Sequence, residues 1–374
     1  MTVVDRQDLF SGTAPPPDHL ALDVAALGAW LDGRIDGLGA DFTVEKFKGG
    51  QSNPTYRLTG DRTYVLRRRP PGPLLASAHA IDREYRAMAA LAGTGFPVPK
   101  AWLYCDDESV IGSAFYIVGY DPGRIFWNAD LPGLIAGDRT AIYADMGRRL
   151  AQLHGLEPAA IGLADFGRAG AYAARNLARW SKVYDQSRLI DVPDMDWLAR
   201  TLPDLVPDDE RICLLHGDYG LYNIIVDAER PVVTAVLDWE MSTLGDPFVD
   251  LAHHVRAWWE PQDDSGAASS LRDHDLAALG IPTMDDYIDL YCRNLGIAEL
   301  PHRHFYLGFA QFRYAAMIQG ILKRAAIGTS SNRVTLHTQE RVFTVAALAR
   351  ARDARRPQGL NMRSNSSPES TRWT

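Results

Sequence analysis

Residues 214–223 read Leu-Leu-His-Gly-Asp-Tyr-Gly-Leu-Tyr-Asn, and residues 236–240 read Val-Leu-Asp-Trp-Glu. Each stretch predicts an apolar strand that ends in a turn, and the two turns carry Asp218, Asn223 and Asp238. Metal-assisted phosphoryl transfer uses one group that orients the attacking hydroxyl and oxygen ligands that hold Mg²⁺ on nucleotide phosphates. The order and spacing of these three residues therefore indicate a site for that chemistry.

Asp218 is the candidate catalytic base of this site. An ordinary aspartate suffices for the role, because it needs only to orient a hydroxyl and accept its proton late in the reaction. A turn or helix cap would also account for Asp218 alone, but not for its combination with Asn223 and Asp238. His216, two residues upstream, is expected to brace the loop by hydrogen bonding rather than to take part in the chemistry.

Asn223 and Asp238 are the candidate metal ligands, since amide and carboxylate oxygens suit Mg²⁺. Residues 224–226 and 232–237 predict a hairpin that returns Asp238 beside Asn223, so that one metal could touch both. Two turn residues of an ordinary hairpin remain the alternative. Glu240 is close enough in sequence to be a further metal or substrate contact.

A glycine-containing turn between two predicted strands suits the approach of phosphate to backbone N–H groups. Its residues are Gly49, Gly50, Gln51, Ser52 and Asn53. Arg67 follows on a strand and Glu84 on a helix, at the separations expected of a cation that binds the α- and β-phosphates and an acid that pairs with it. An ordinary turn, and a solvated strand end at residues 67–69, remain alternatives.

The segment 115–123 is predicted to join two lobes. An apolar strand that turns extended at this point can offer backbone groups to an adenine edge, which makes Val118 and Tyr120 candidate nucleotide contacts. A simple linker is the alternative.

Composition narrows the class of protein. The 374 residues include 39 basic and 47 acidic side chains, which gives a net charge of −8 and argues against a nucleic acid or an anionic membrane as partner. Three widely spaced cysteines show no metal-ligand spacing and are expected to be reduced. No signal peptide and no apolar run of roughly 20 residues is found. We expect a soluble, cytoplasmic protein; no feature specifies an oligomeric state.

The pattern along the chain predicts an α+β fold of two lobes. Residues 19–119 are expected to form a nucleotide-binding lobe, mostly antiparallel sheet, and residues 120–354 a mainly helical lobe that carries the Asp218 loop and the substrate site. Residues 1–18 and 355–374 are expected to be a disordered leader and tail. The predicted helices cover residues 20–38, 81–91, 140–155, 171–184, 194–202, 284–295, 305–326 and 334–352.

Two further acids follow the hairpin. Asp246 before Pro247 is typical of a helix N-cap with proline at the first helical position. Asp250, four residues on, is expected to support the Asp218 loop rather than to contact substrate.

With these motifs assembled, the chain resembles the aminoglycoside phosphotransferase family, which is choline kinase-like and has a two-lobed protein-kinase-like fold. The resemblance covers residues 42–324, and its motifs are those at 49–53, 64–67, 82–86, 216–223 and 238–250. It implies ATP and Mg²⁺ as cofactors, Asp218 as catalytic base, Asn223 and Asp238 as magnesium ligands, and Glu84 as the partner of the strand cation.

Two positions depart from the family pattern. The strand cation is Arg67 where many members carry lysine, and an arginine is bulkier and fork-shaped. Gly220 stands where relatives often carry a basic or polar residue, which could alter handling of the γ-phosphate.

Within the family, residues 67–72, 77–79, 237–246 and 312–320 resemble the kinase-like domain found ahead of some acyl-CoA dehydrogenases, which phosphorylates hydroxyacyl-CoA. This resemblance implies phosphorylation of a small-molecule hydroxyl, with Arg313 and Gln319 on a helix beside the cleft. A packed helix with polar ends is the alternative for that helix. An aminoglycoside O-phosphotransferase and a non-catalytic nucleotide-binding regulatory protein are the alternative functions.

Overall fold

Alternating apolar residues build the sheet of the first lobe. In the computed structural model its six strands lie in the order β1-β2-β3-β4-β6-β5, and all neighbours are antiparallel. The strands are β1 (Thr13–Ala14), β2 (Thr43–Phe47), β3 (Thr55–Thr59), β4 (Thr63–Arg68), β5 (Ala101–Cys105) and β6 (Phe115–Gly119). The structure describes residues 6–39, 41–49, 53–70, 80–168, 170–261, 269–327, 342–347 and 349–350.

Three helices belong to this lobe: α1 (Arg6–Phe10), α2 (Val24–Leu31) and α3 (Ile81–Leu91). One face of the sheet buries Tyr56 and Leu66, which lie opposite each other on β3 and β4, in a core shared with α2. Because side chains alternate along a strand, Arg67 points to the other face, towards α3 and the second lobe. Strand alternation therefore aims Arg67 into the cleft.

Arg68 lies on the α2 side of the sheet and is buried. Its guanidinium donates to the Ile111 carbonyl at 3.2 Å and lies over the Tyr56 ring. The alternative of a solvated strand end is therefore wrong for both Arg67 and Arg68, which are 8% and 4% exposed.

The prediction of a disordered leader is wrong for the described part of that segment. Residues of β1 pair with β2, and the Gln7 side chain of α1 donates to the Ile125 carbonyl at 2.8 Å. Phe10 packs on Trp127 with 4.8 Å between ring centroids. These apolar and hydrogen-bonding contacts with the start of the second lobe are long-range, so local composition did not reveal them. The predicted tail, residues 355–374, lies outside the described residues.

The second lobe is mainly helical. Its helices are α4 (Ala136–His154), α5 (Tyr172–Ser187), α6 (Pro193–Thr201), α7 (Pro247–His254), α8 (Leu276–Leu279), α9 (Met284–Leu295) and α10 (Arg303–Ala326). Short 3-10 turns occur at Asp18–Leu20, Leu202–Leu205, Leu221–Asn223, Trp239–Met241 and Val255–Trp258. α4 packs on α9, and α10 packs on α5 and α7, around the main apolar core.

Two small antiparallel sheets interrupt these helices. They pair β7 (Cys213–Leu215) with β10 (Thr243–Gly245) and β8 (Ile224–Val226) with β9 (Val233–Val236). The predicted hairpin is thus confirmed. Among the described residues, no helix has both the length and the apolar character that crossing a membrane would take.

Several helix limits follow from caps. The predicted helix 20–38 is shorter, because Asp23 caps α2 by accepting from Ala26 N at 2.9 Å, and a turn with Gly33 at φ +66° follows its end. Asp246 caps α7 by accepting from Phe248 N at 2.9 Å, with proline at the first position, as predicted. The predicted helix 334–352 lies only partly within the described residues, of which 342–347 are helical.

Candidate active site

A sharp turn after β7 presents Asp218. Gly217 has a φ of +85°, and a Cβ atom there would lie 2.5 Å from the Met241 carbonyl oxygen. The turn therefore requires glycine both for its backbone conformation and for its close approach to the backbone of Met241. Because β7 is fully buried, the chain leaves the core at a fixed point and Asp218 follows at the edge of the cleft.

Asp250 of α7 holds this turn from behind. Its two carboxylate oxygens accept from His216 N at 2.8 Å and Gly217 N at 3.0 Å, and His154 Nε2 lies 3.3 Å from the same carboxylate. Burial alone would raise the pKa of Asp250, but the hydrogen bonds from His154 and the His216 backbone outweigh it and hold the pKa at about 2. The structure thus confirms Asp250 as support of the loop.

His216 braces the same loop, as predicted. Its Nε2 lies 2.8 Å from the Leu237 carbonyl, and its Nδ1 accepts from Asp218 N at 3.2 Å. The ring therefore ties the Asp218 turn to the residue before Asp238. The two stretches that the sequence singled out are joined through one imidazole.

Three side chains hold the Asp218 carboxylate. Oδ1 accepts from the Tyr222 hydroxyl at 2.7 Å and lies 3.3 Å from His253 Nε2, and Oδ2 accepts from the Asn223 amide at 3.2 Å. Burial would raise the pKa of Asp218, but the bonds from His253 and Tyr222 hold it at about 2. Burial lowers the pKa of His253 to about 3, so the imidazole is neutral near pH 7.

Tyr222 and His253 were not predicted from the sequence. Tyr222 lies in the 3-10 turn Leu221–Asn223, which directs its hydroxyl back to Asp218. His253 follows Asp250 by three residues on α7, so the two share one helix face towards the loop. The three-residue spacing from Asp250 could therefore have indicated that His253 faces the Asp218 loop.

Gly220 has a local structural reason. Its backbone is extended, and a Cβ atom there would lie 2.7 Å from the Tyr222 ring. A side chain at this position would therefore displace the tyrosine that donates to Asp218. The departure from the family pattern at Gly220 is linked to the presence of Tyr222.

Asn223 and Asp238 are brought to the same side of the hairpin, as predicted. Leu237 N donates to the Asn223 carbonyl at 2.8 Å, which fixes Asp238 next to it. Asp238 has a φ of +64°, a left-handed conformation that costs a non-glycine residue about 1–2 kcal/mol. Such strain persists only where the surroundings impose it and is concentrated at functional sites.

Arg67 joins the lobes at this point. Its guanidinium lies 3.2 Å from Glu84, 2.9 Å from Asp238 and 3.5 Å from Glu240. Glu84 is fully buried and also accepts from the Tyr116 hydroxyl at 2.8 Å. Burial raises the pKa of Glu84 to about 7 despite Arg67. The predicted pair of Arg67 and Glu84 is present, and two further carboxylates share the arginine.

This cluster could hold a divalent cation. Ligand oxygens of Glu84, Asp238 and Glu240 all lie within 4.8 Å of one another, and the buried Oε1 of Glu84 has no hydrogen-bond partner. Three carboxylates against one guanidinium leave excess negative charge when all are ionised, and hard oxygen donors suit Mg²⁺. Glu84 and Glu240 therefore join Asp238 as candidate Mg²⁺ ligands, and the binding of one metal by Asn223 and Asp238 stays a prediction.

The glycine turn is described only at its ends. Asn53 is fully buried, and its amide lies 3.4 Å from Glu240, so it faces the cluster. A Cβ atom at Gly49 would lie 3.1 Å from both Trp127 and the Phe10 carbonyl, which leaves little room there. Gly50, Gln51 and Ser52 lie outside the described residues.

Val118 and Tyr120 lie at the end of β6, where the chain leaves the first lobe. Val118 is buried and pairs with Val65 on β4, whereas Tyr120 is 37% exposed. Gly119 N between them donates to the Lys100 carbonyl at 2.8 Å. A contact of Val118 or Tyr120 with adenine stays a prediction.

This geometry agrees with comparisons to known proteins. A model of the phosphotransferase enzyme family matches residues 43–287, a span that contains every site residue from Asn53 to Asp250. The chain belongs to this family. A phosphotransferase family member therefore carries the Asp218 loop and the Arg67 cluster described above.

Two proteins that are 40% identical to this chain match most of its length. Mouse acyl-CoA dehydrogenase family member 10 is 40% identical over 340 residues, which is 90% of this chain and 32% of the relative. The chain thus spans about a third of that relative. A crystal structure from Ralstonia eutropha, named provisionally as an aminoglycoside phosphotransferase, is 40% identical with a TM-score of 0.81 and covers 89% of this chain and 99% of its own.

Two solved structures of low sequence identity share the fold alone. Choline kinase from Cryptosporidium parvum has a TM-score of 0.60 at 11% identity, covering 89% of this chain and 96% of its own. The streptomycin–ATP complex of APH(2″)-IIa has a TM-score of 0.54 at 13% identity, covering 88% and 97%. The predicted two-lobed, protein-kinase-like fold is confirmed.

Proposed function

We propose that this chain is an ATP- and Mg²⁺-dependent phosphotransferase that acts on a hydroxyl of a small molecule. The observation that carries the proposal is the Asp218 carboxylate, which Tyr222, His253 and Asn223 orient and which stays ionised at neutral pH. An ionised, fixed carboxylate beside a cluster of hard oxygen donors is what hydroxyl phosphorylation requires. A binding protein without turnover would have no use for that arrangement.

In the proposed reaction, Asp218 orients the acceptor hydroxyl and accepts its proton as the hydroxyl oxygen bonds to the γ-phosphorus. The bond from that phosphorus to the bridging oxygen of ADP breaks in the same displacement. Arg67, which lies beside Asp238, would direct its charge towards the nucleotide phosphates. Asn223 and Asp238 would hold Mg²⁺, which neutralises charge on the phosphates when bound.

For the acceptor we propose a hydroxyacyl-CoA-type metabolite. Support comes from the relative named as an acyl-CoA dehydrogenase family member, 40% identical over 90% of this chain. An aminoglycoside is the second candidate, because the 40% identical Ralstonia structure is named provisionally as an aminoglycoside phosphotransferase.

The test is ADP release from Mg·ATP by the purified chain in the presence of hydroxyacyl-CoAs, amino alcohols, sugars and aminoglycosides. We expect stimulation by hydroxyacyl-CoAs above the rate without acceptor, and a phosphoester in the product by mass spectrometry. Stimulation by aminoglycosides alone would favour the second candidate. No stimulation by any acceptor would contradict the proposed function.

Replacing Asp238 by asparagine should weaken the metal site. The substitution keeps the size of the side chain but removes a charge, so we expect the half-saturating Mg²⁺ concentration to rise at least roughly tenfold, with a lower kcat. The measurement is the rate against Mg²⁺ concentration at saturating ATP. The matched control is Glu229→Gln at the exposed tip of the same hairpin. An unchanged Mg²⁺ requirement would remove Asp238 from the ligand set.

A further inference from the structure

A cavity with three arginines in its wall lies beside the Asp218 loop, between the start of α5 and β10. It has a volume of about 220 Å³, against roughly 30 Å³ for one water molecule in the liquid. We call it the arginine pocket. Its wall includes Arg168, Arg175, Arg179, Tyr172, Asn176 and Thr243.

Acidic side chains do not neutralise these three arginines. No ion pair among the described residues includes Arg168, Arg175 or Arg179. Asp165 pairs with Arg86, and both oxygens of Glu210 accept from the first N–H groups of α5 at 2.8 and 2.7 Å. Glu210 keeps its charge in these bonds, so three guanidinium groups around the cavity face one nearby carboxylate and leave a local excess of positive charge in a chain of net charge −8.

The arrangement holds the guanidinium groups in place. Arg175 donates to the Arg168 carbonyl at 2.8 Å, which ties the helix to the preceding loop. The Trp180 ring lies 5.9 Å from the guanidinium of Arg179 and 5.6 Å from that of Arg313 on α10. Arg313 therefore adds a positive charge near the pocket, where it interacts electrostatically with Tyr172.

The arginine pocket lies close to the catalytic loop. Thr243 in its wall pairs with Leu215 of β7, and Asp218 follows Leu215 by three residues, at most roughly 10 Å of chain. Arg313 interacts electrostatically with Tyr172 of the pocket and with Asp218. One acceptor molecule could therefore reach both places.

We propose that the arginine pocket binds a phosphate group of the acceptor, remote from the hydroxyl that is phosphorylated at Asp218. Arginine forks match phosphate oxygens with paired, charge-assisted hydrogen bonds, and three of them around one cavity suit a multiply charged anion. The same charges would repel a polycation. This inference rests on the proposed function and deepens it, because it selects phosphate-bearing acceptors over aminoglycosides.

The test is calorimetric titration of the whole chain with coenzyme A and with pantetheine, which lacks the phosphates. A non-hydrolysable ATP analogue with Mg²⁺ keeps the nucleotide cleft filled. We expect coenzyme A to bind at least about tenfold more tightly than pantetheine, and Arg175→Gln to remove at least about tenfold of that affinity. A second, double variant, Arg168→Gln/Arg179→Gln, should lose affinity for coenzyme A in the same way. Both of its side chains are exposed, so their replacement should not disturb folding. The charge-matched control is Arg293→Gln on the exposed face of α9.

Equal affinity of all variants for coenzyme A, or no preference over pantetheine, would overturn the inference. So would phosphorylation of a hydroxyacyl-CoA with an unchanged KM in the pocket variants, although the proposed function would then stand. Pocket-dependent binding of coenzyme A without phosphorylation of any acceptor would support the pocket and contradict the proposed function. The two failures are thus distinguishable.

Discussion

Replacing Asp218 by asparagine is expected to lower the rate of phosphoryl transfer by about 10²–10⁴-fold, the usual contribution of a positioned base. The amide keeps the size of the side chain, but it cannot accept the hydroxyl proton. Nucleotide affinity should stay within a few-fold, because the proposed phosphate contacts come from Arg67 in the other lobe. The measurements are single-turnover phosphoester formation and titration with Mg·ATP.

The matched control for this variant is Asp61→Asn, in the exposed turn between β3 and β4. It removes the same charge far from the catalytic loop and should keep the full rate. An Asp218→Asn protein that turns over as fast as the wild type would disprove the assignment of the base. A variant that loses nucleotide binding as well would instead show that Asp218 supports the whole cleft.

Replacing Asp250 by asparagine is expected to be the most destabilising of these changes. The carboxylate is 2% exposed and accepts from two backbone N–H groups of the catalytic turn. Hydrogen bonds to a buried charged group contribute about 1.5–3 kcal/mol each, so a loss of about 3 kcal/mol in the free energy of unfolding is reasonable. For a lobe of this size that corresponds to a drop in Tm of roughly 6–12 °C.

The pH dependence gives an internal check on the Asp250 variant. Hydrogen bonds from His154 and the His216 backbone hold the pKa of Asp250 at about 2, below the ordinary value of 3.8, so its ionised form stabilises the folded state above pH 3.8. That stabilisation is lost as the pH falls through about 2. The difference in Tm between wild type and Asp250→Asn should therefore be constant near neutrality and shrink below pH 4. Asp289→Asn, on the exposed face of α9, is the control; a Tm difference equal to that of the control would contradict the prediction.

Much of the secondary structure could be predicted from local sequence patterns. The limits of α3 and α9 were predicted to the residue, because apolar periodicity is a local signal. The prediction of a disordered leader was wrong because the order of this segment depends on long-range contacts. Phe10 contacts Trp127 and Gln7 contacts Ile125, and each pair is more than a hundred residues apart. Such pairings leave no local pattern.

The site shows the same division. The alignment of Asp218 with Asn223 and Asp238 could be predicted, since a turn and a hairpin decide it. The contact of Tyr222 with Asp218 could not, because it depends on a 3-10 turn, whereas His253 was missed although its spacing from Asp250 on α7 could have indicated it. Which acids would share Arg67 depended on how the lobes meet, and no sequence pattern specifies that.

The ion pair between Arg67 and Asp238 has a mechanical consequence. One partner lies on β4 of the first lobe and the other on the turn after β9, so the pair fastens the two halves of the molecule across the cleft. A cation that draws the same Asp238 oxygen towards itself must release the arginine. The metal and the arginine that fastens the two lobes therefore compete for a single oxygen atom.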